Sequence, residues 1–145
     1  MREIEFYEAE NPYGYFSNFA LYPLNLKGKT WPSSEHYYQA QKVAGTEWEE
    51  KIRLCATPQD AFDMTRLPEF PERPDWVEVK DDVMYEAVYA KFTQHEDLRQ
   101  KLLDSGDAVL IEDSPVDYYW GCGSDGTGKN MLGKTLMAIR KVLAE

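Results

Sequence analysis

Glu35, Gln39 and Lys42 recur at helical spacing in the stretch WPSSEHYYQAQK, residues 31–42. At 3.6 residues per turn they share one face, with Tyr38 and Gln41 on the strip beside it. A carboxylate, an amide and an amine in line can hold a polar ligand or stabilise a developing positive charge. The same spacing also suits a solvated face with a favourable Glu-to-Lys pair, and local sequence leaves both readings open. Glu35 falls in the first turn after two serines, where the helix field favours the carboxylate by about 0.3–1 kcal/mol. Burial against Trp31, Tyr37 and Tyr38 would oppose that preference. His36 points to a different side of the helix and reads as a packing or hydrogen-bonding neighbour.

Four other stretches carry chemistry. In GCGSDGTGKN, Gly123 to Lys129 fits G-x-x-x-x-G-K, but Asn130 follows where a phosphate loop needs Ser or Thr for magnesium. The loop still leads into a helix start, so Gly126, Gly128, Lys129 and Asn130 are candidates to hold an anion, with a tight turn as the alternative. In DSPVDYYWG, Asp117 stands three residues before Trp120; it either caps a turn or supplies a second carboxylate. In DWVEVK, Trp76 and Lys80 are one turn apart, so an indole and an amine face one space, or a core Trp sits under a snorkelling Lys. In FSNF, Asn18 can bind a ribose hydroxyl or a base edge, or make a turn.

These residues need elements to position them. EIEFYEAE alternates as a short strand, and LYPLNLKGKTW reads as a hairpin turning at Lys27-Gly28. Helices follow: from Ser33 or Ser34 to about Gly45, from Glu47 to Cys55, and from the Thr57 cap with Pro58 at the first position to about Arg66. LPEFPERP is an irregular connection. A long helix is expected over 75–93, with Val79, Val83, Ala87 and Ala90 as its apolar stripe. A shorter helix covers 96–103, AVLIED is a candidate buried strand, and a last helix runs over 130–143 with Leu132, Leu136, Ile139 and Leu143 on one face. Strands and helices do not alternate, which argues against a parallel α/β sheet. The pattern predicts a mostly helical α+β fold with a few short strands, as a single domain over 1–145.

Composition bounds the function. The chain has 145 residues, a net charge of −10 and a pI near 4.7. That argues against sequence-independent binding to a nucleic-acid backbone, though not against a small nucleotide. Ten tyrosines and four tryptophans exceed the needs of a core and suit stacking on planar rings. Cys55, Cys122, His36 and His95 show no metal-ligand spacing, and no apolar run reaches the length of a membrane span or signal peptide. The expectation is a cytoplasmic protein with no metal, no cofactor and no membrane.

The motifs FYEAENPYGYFSNFA, WPSSEHYYQAQK, DWVEVK, KF at 91–92 and YWGCGSDGTGKNMLGKTLMAIR together resemble the NADAR (YbiA-like) family, in the family's order from about Phe6 to Arg140. The resemblance implies a compact, mainly helical α+β fold and N-glycosidase activity without a cofactor. It implies two substrate classes: early riboflavin intermediates, in which a pyrimidine is joined through nitrogen to ribose 5-phosphate, and ADP-ribose attached to guanine of nucleic acid. Glu35, Trp76 and Asp117 match the family's catalytic or pocket positions; Asn18, Lys80 and the glycine loop with Asn130 match binding positions. Where the family often has an acidic residue after the loop's first glycine, this chain has Cys122.

The residues and the resemblance together give Glu35, Asp117, Trp76 and Lys80 as catalytic candidates. Tyr38, Gln39, Lys42, Asn18, Trp120, Gly126, Gly128, Lys129 and Asn130 are the candidates for substrate binding. Lys80 or Lys42 could act covalently by trapping an opened sugar as a Schiff base. The competing expectation is a non-catalytic ADP-ribose or nucleotide-binding module, and a purely structural protein comes third. Neither reading involves sequence-specific nucleic-acid binding.

Overall fold

The structure, a computed structural model, describes residues 2–145. Its elements in chain order are β1 (Glu3–Phe6), a 3-10 turn (Gly14–Phe16), β2 (Leu24–Leu26), β3 (Lys29–Trp31), α1 (Ser34–Gln41), α2 (Glu47–Arg53), α3 (Pro58–Met64), α4 (Trp76–Gln94), α5 (Glu96–Asp104), β4 (Val109–Glu112) and α6 (Met131–Leu143). The fold is α+β and mostly helical, as the pattern predicts. Packing separates the chain into two compact units. One joins the residues up to Ala20 with Phe92–Glu145; the other is Leu21–Lys91.

The unit Leu21–Lys91 begins with the hairpin. β2 and β3 pair antiparallel, with Leu24 opposite Trp31. Lys27 and Gly28 both take positive φ, 56° and 74°, the geometry that two-residue hairpins need. Ser33 then caps α1, its hydroxyl accepting from the His36 N–H at 3.2 Å. α1 packs on α2, α3 and β3, and all eight of its residues are buried. Thr57 caps α3 through Asp60 N–H with Pro58 at the first position, so this start follows local rules. Along α4, Val83, Met84, Ala87, Val88 and Ala90 are buried. Val79 of the expected stripe is only half-buried.

The other unit holds the first and last strands together. β1 and β4 pair in parallel, Ile4 opposite Leu110, although they lie at opposite ends of the sequence. This two-stranded parallel ladder was not legible in the order of elements. It is also less buried than AVLIED suggests: Ala108 and Leu110 are buried, while Val109, Ile111 and Glu112 are half-buried. α6 packs on β4 and α5, burying Leu132, Leu136 and Ile139, while Leu143 stays half-exposed. Gly133 allows this approach, because a Cβ there would collide with the Leu110 carbonyl and the Asn130 amide.

Candidate active site

The helix α1 places Glu35 and Gln39 one turn apart, 6 % and 4 % exposed. This overturns the solvated-face reading: both side chains are shut away from water. Gln39 Nε2 donates to Glu35 Oε2 at 2.7 Å. Lys42, half-buried at the helix end, lies 5.7 Å from the Tyr38 ring centroid and 5.9 Å from that of Trp76. Those two rings meet edge to face at 5.1 Å. Trp76 stands at the head of α4, and the connection before it is tied to α1 by Arg73 N–H donating to the Lys42 carbonyl at 2.9 Å. An Arg73–Asp75 ion pair at 2.7 Å steadies the same turn.

Burial pushes the Lys42 ammonium below its ordinary value; the charges of Glu72 and Glu35 oppose the shift, and Arg66 and Lys80 add to it. A partly dehydrated amine above two aromatic faces is a cation–π arrangement, and one that holds more neutral amine than a surface lysine does. Lys80 is half-buried one turn after Trp76.

The residues flanking this cluster serve the fold. His36 is fully buried, its Nδ1 2.7 Å from the Ser33 hydroxyl and its Nε2 3.0 Å from the Cys55 carbonyl. A carbonyl only accepts, so Nε2 carries the proton and Nδ1 accepts from Ser33. Gln41 is clamped between Lys27 Nζ at 2.7 Å and Glu49 at 3.3 Å. Trp31 and Tyr37 are core residues, packed edge to face at 5.1 Å.

The other unit carries Asn18, Asp117, Trp120 and the glycine loop. Asn18 is 6 % exposed, just beyond the 3-10 turn. Asp117 caps its turn, Oδ1 accepting from Tyr119 N–H at 2.9 Å and Trp120 N–H at 2.8 Å. The turn-capping role is therefore real. Trp120 is half-buried, edge to face with Tyr119 at 4.9 Å.

The glycine loop differs from expectation. An anion site needs backbone N–H groups pointing at empty space. Here Gly126, Gly128, Lys129 and Asn130 donate to the carbonyls of Gly123, Cys122, Tyr118 and Gly121, and the first helical residues, Met131 and Leu132, donate to Tyr119 and Trp120. The Asn130 side chain is taken as well. With φ at 52°, it accepts from Glu112 N–H at 3.0 Å and donates to the Leu110 carbonyl at 2.9 Å, continuing the ladder at the β4 edge. These groups of Gly126, Gly128 and Asn130 are thus already engaged within the protein, and a phosphate role for them stays a proposal. Gly128 is needed because a Cβ would strike the backbone of Gly121 and Cys122. Lys129 remains exposed, its ammonium 5.6 Å from the Tyr119 ring.

One buried cation was missed from the sequence. Lys91 is 0 % exposed near the end of α4, 5.6 Å from the Tyr22 ring, and burial lowers its pKa to about 7. Its signal was present: Lys91 follows Val88 and Ala87 by three and four positions, on the buried stripe. Among the described residues no group of three or more His, Cys, Asp or Glu is arranged to hold a metal, and no helix is long and apolar enough to cross a membrane.

Fold and site together define a small, mostly helical α+β protein whose polar chemistry gathers on a buried helix beside an aromatic corner. The chain belongs to the NADAR domain family, whose model matches residues 5–144. It is 48 % identical over 141 residues to the N-glycosidase YbiA of Escherichia coli, covering 97 % of this chain and 88 % of that protein. It is 45 % identical to an N-glycosidase of Nostoc punctiforme, covering 95 % and 90 %. A riboflavin biosynthesis protein of Vibrio vulnificus is 40 % identical, with 98 % of this chain matching 39 % of that longer protein. The NMR structure of Escherichia coli YbiA is similar over 99 % of this chain and 87 % of that one, with a TM-score of 0.90 at 46 % identity.

Proposed function

We propose that this protein hydrolyses the N-glycosidic bond between a base and a phosphorylated ribose, and that residues 1–145 serve this reaction as one NADAR domain. The observation that carries the reading is the buried Glu35–Gln39 pair on the helix whose Lys42 covers the Tyr38 and Trp76 rings. Departure of the base leaves an oxocarbenium-like ribose, and the Glu35 carboxylate stabilises that charge or activates the attacking water. Trp76 and Tyr38 hold the planar base. Lys80 contributes positive charge beside Trp76. In the other unit, Asp117 is proposed to orient the ribose or take the complementary proton role, Asn18 to bind a ribose hydroxyl or base edge, and Lys129 to bind phosphate, with Trp120 a further binding candidate.

The substrate this reading favours is a small ribosylated base of the riboflavin-intermediate type. The net charge of −10 disfavours a polynucleotide, and the Vibrio vulnificus relative bears a riboflavin biosynthesis name. ADP-ribosylated guanine is the competing substrate. Purified protein is incubated with ribosylaminopyrimidine 5-phosphate and, in parallel, with a guanine-ADP-ribosylated oligonucleotide, and the released base and sugar are quantified. Turnover of the first and not the second is expected; the reverse pattern reassigns the substrate. Binding without turnover of either refutes the enzyme and leaves the nucleotide-binding module.

The environment of Lys42 favours a covalent variant of the same reaction. Ring opening leaves the base joined to the anomeric carbon as an imine; the neutral Lys42 amine adds to that carbon, both amine protons pass to the base nitrogen, the carbon–base bond breaks, and water hydrolyses the resulting enzyme imine. Borohydride then reduces the imine and fixes the sugar to Lys42; turnover with no such adduct, and a fully active Lys42→Arg enzyme, would exclude it.

A further inference from the structure

Gln39 has one polar atom used and one unused. Its Nε2 donates to Glu35 Oε2 at 2.7 Å. Its Oε1 is buried and accepts no hydrogen bond among the described residues. Rotating the carboxamide cannot relieve this, because a carboxylate only accepts and two oxygens would then face each other. The bond to Glu35 therefore holds the Gln39 oxygen pointing away from that carboxyl group. A buried acceptor left in this state is costly, and in native proteins such atoms call for an explanation. The one that fits a buried carboxylate on the same helix face is a ligand that brings its own donor.

We infer that Gln39 Oε1 accepts the hydrogen of the ribose 2-hydroxyl, which makes Gln39 the residue that selects ribosides over 2-deoxyribosides. This rests on the N-glycosidase reading, in which Glu35 faces the anomeric carbon. The atoms bonded nearest that carbon are the ring oxygen, the glycosidic nitrogen and the carbon bearing the 2-hydroxyl. The ring oxygen cannot donate. The glycosidic nitrogen has to gain a proton to leave, so a neutral acceptor there supplies nothing the departure needs. The 2-hydroxyl donates, and it becomes a stronger donor as positive charge builds on the neighbouring carbon. Its bond to Gln39 is then tighter in the transition state than in the bound substrate, which is the form of binding that accelerates a reaction. Gln39 thus does two things with one carboxamide: Nε2 orients the carboxylate, and Oε1 reads the sugar.

The test compares ribosylaminopyrimidine 5-phosphate with its 2-deoxyribosyl counterpart, in wild type and in Gln39→Met, which keeps the length of the side chain and removes both polar atoms. Wild type is expected to prefer the riboside by about 100-fold in kcat/KM, because the deoxy substrate leaves the buried oxygen unpaired. In Gln39→Met both rates fall through loss of the Glu35 contact, and the preference collapses to within about threefold. A merely structural residue would lower both rates and leave the ratio alone; an unchanged ratio in the variant, or no preference in wild type, overturns the assignment. Calorimetric titration of wild type and variant with ribose 5-phosphate and 2-deoxyribose 5-phosphate asks the same question without turnover. If the protein proves to be a binding module, a ribose preference that is lost in Gln39→Met still upholds the Gln39 role, and equal affinities refute it. Should Gln39→Met not fold, the wild-type preference alone decides, since its absence refutes the idea.

Discussion

Replacing Glu35 by Gln separates chemistry from architecture, because the structure says the fold will barely notice. Gln39 Nε2 donates to Glu35 Oε2 at 2.7 Å, and a glutamine oxygen at position 35 can accept the same bond. A hydrogen bond to a charged acceptor contributes about 1.5–3 kcal/mol and a neutral one about 0.5–1.5, so the exchange loses roughly 1 kcal/mol. Relief of the desolvation of a carboxylate that is 6 % exposed offsets part of that loss. For a chain of this size a net loss of 1 kcal/mol lowers Tm by about 2–4 °C. The reaction should respond very differently. A neutral amide cannot stabilise an oxocarbenium-like ribose or take a proton from water, and removal of such a group lowers kcat by about 10²–10⁴-fold. That is about 3–5 kcal/mol of transition-state stabilisation. Steady-state kcat and a thermal melt on the same preparation measure both quantities. The expected result is a kcat loss of at least 100-fold with a Tm change of a few degrees. A kcat within about threefold of wild type, in a variant that melts normally, would remove Glu35 from the reaction.

Asn130→Ala removes two hydrogen bonds to β4 and puts alanine at a φ of 52°, so a loss of about 2–4 kcal/mol is expected in urea unfolding. Asn130→Gly, which tolerates that φ, should lose about 1 kcal/mol less; equal losses would mean that the backbone conformation is not strained there. Burial lowers the His36 pKa from its ordinary 6.5, so its neutral form is the native one. The unfolded chain binds the extra proton first, so the stability His36 contributes is complete above about pH 6.5 and is lost as pH falls toward its lowered native value. Melts from pH 7.5 to 5 should show that decline, flattened in His36→Gln; parallel curves would count against it. Burial brings the Lys91 pKa to about 7 from an ordinary 10.5, so Lys91 costs stability at and below pH 7 and progressively less up to about pH 10.5. Lys91→Met should remove this pH dependence, so that the stability difference between variant and wild type shrinks between about pH 7 and pH 10.5, and a difference that does not change with pH would refute burial as the cause.

Much of the fold was legible locally because the rules involved act within a turn. Thr57 and Pro58 start α3, Ser33 starts α1, and Lys27-Gly28 turns the hairpin, each through contacts a few residues long. The spacing of Glu35, Gln39 and Lys42 likewise set one helix face from periodicity alone, and the ordered motifs pointed to the NADAR family. Other features depended on chain segments far apart. Whether that face met water was decided by the packing of β3, α2 and α3 around α1, which buries Glu35 and Gln39 and leaves Lys42 half-buried. The glycine loop has the composition of an anion cradle, yet the N–H groups of Gly126, Gly128, Lys129 and Asn130 donate to carbonyls of residues 118–123. The Asn130 amide closes on β4 because Gly133 lets α6 approach that strand. Hydrogen-bond partners and exclusion of water are properties of neighbours in space. That is why the sequence by itself could name Glu35 and Gln39, while only the tertiary structure showed one bond between them and one oxygen left over.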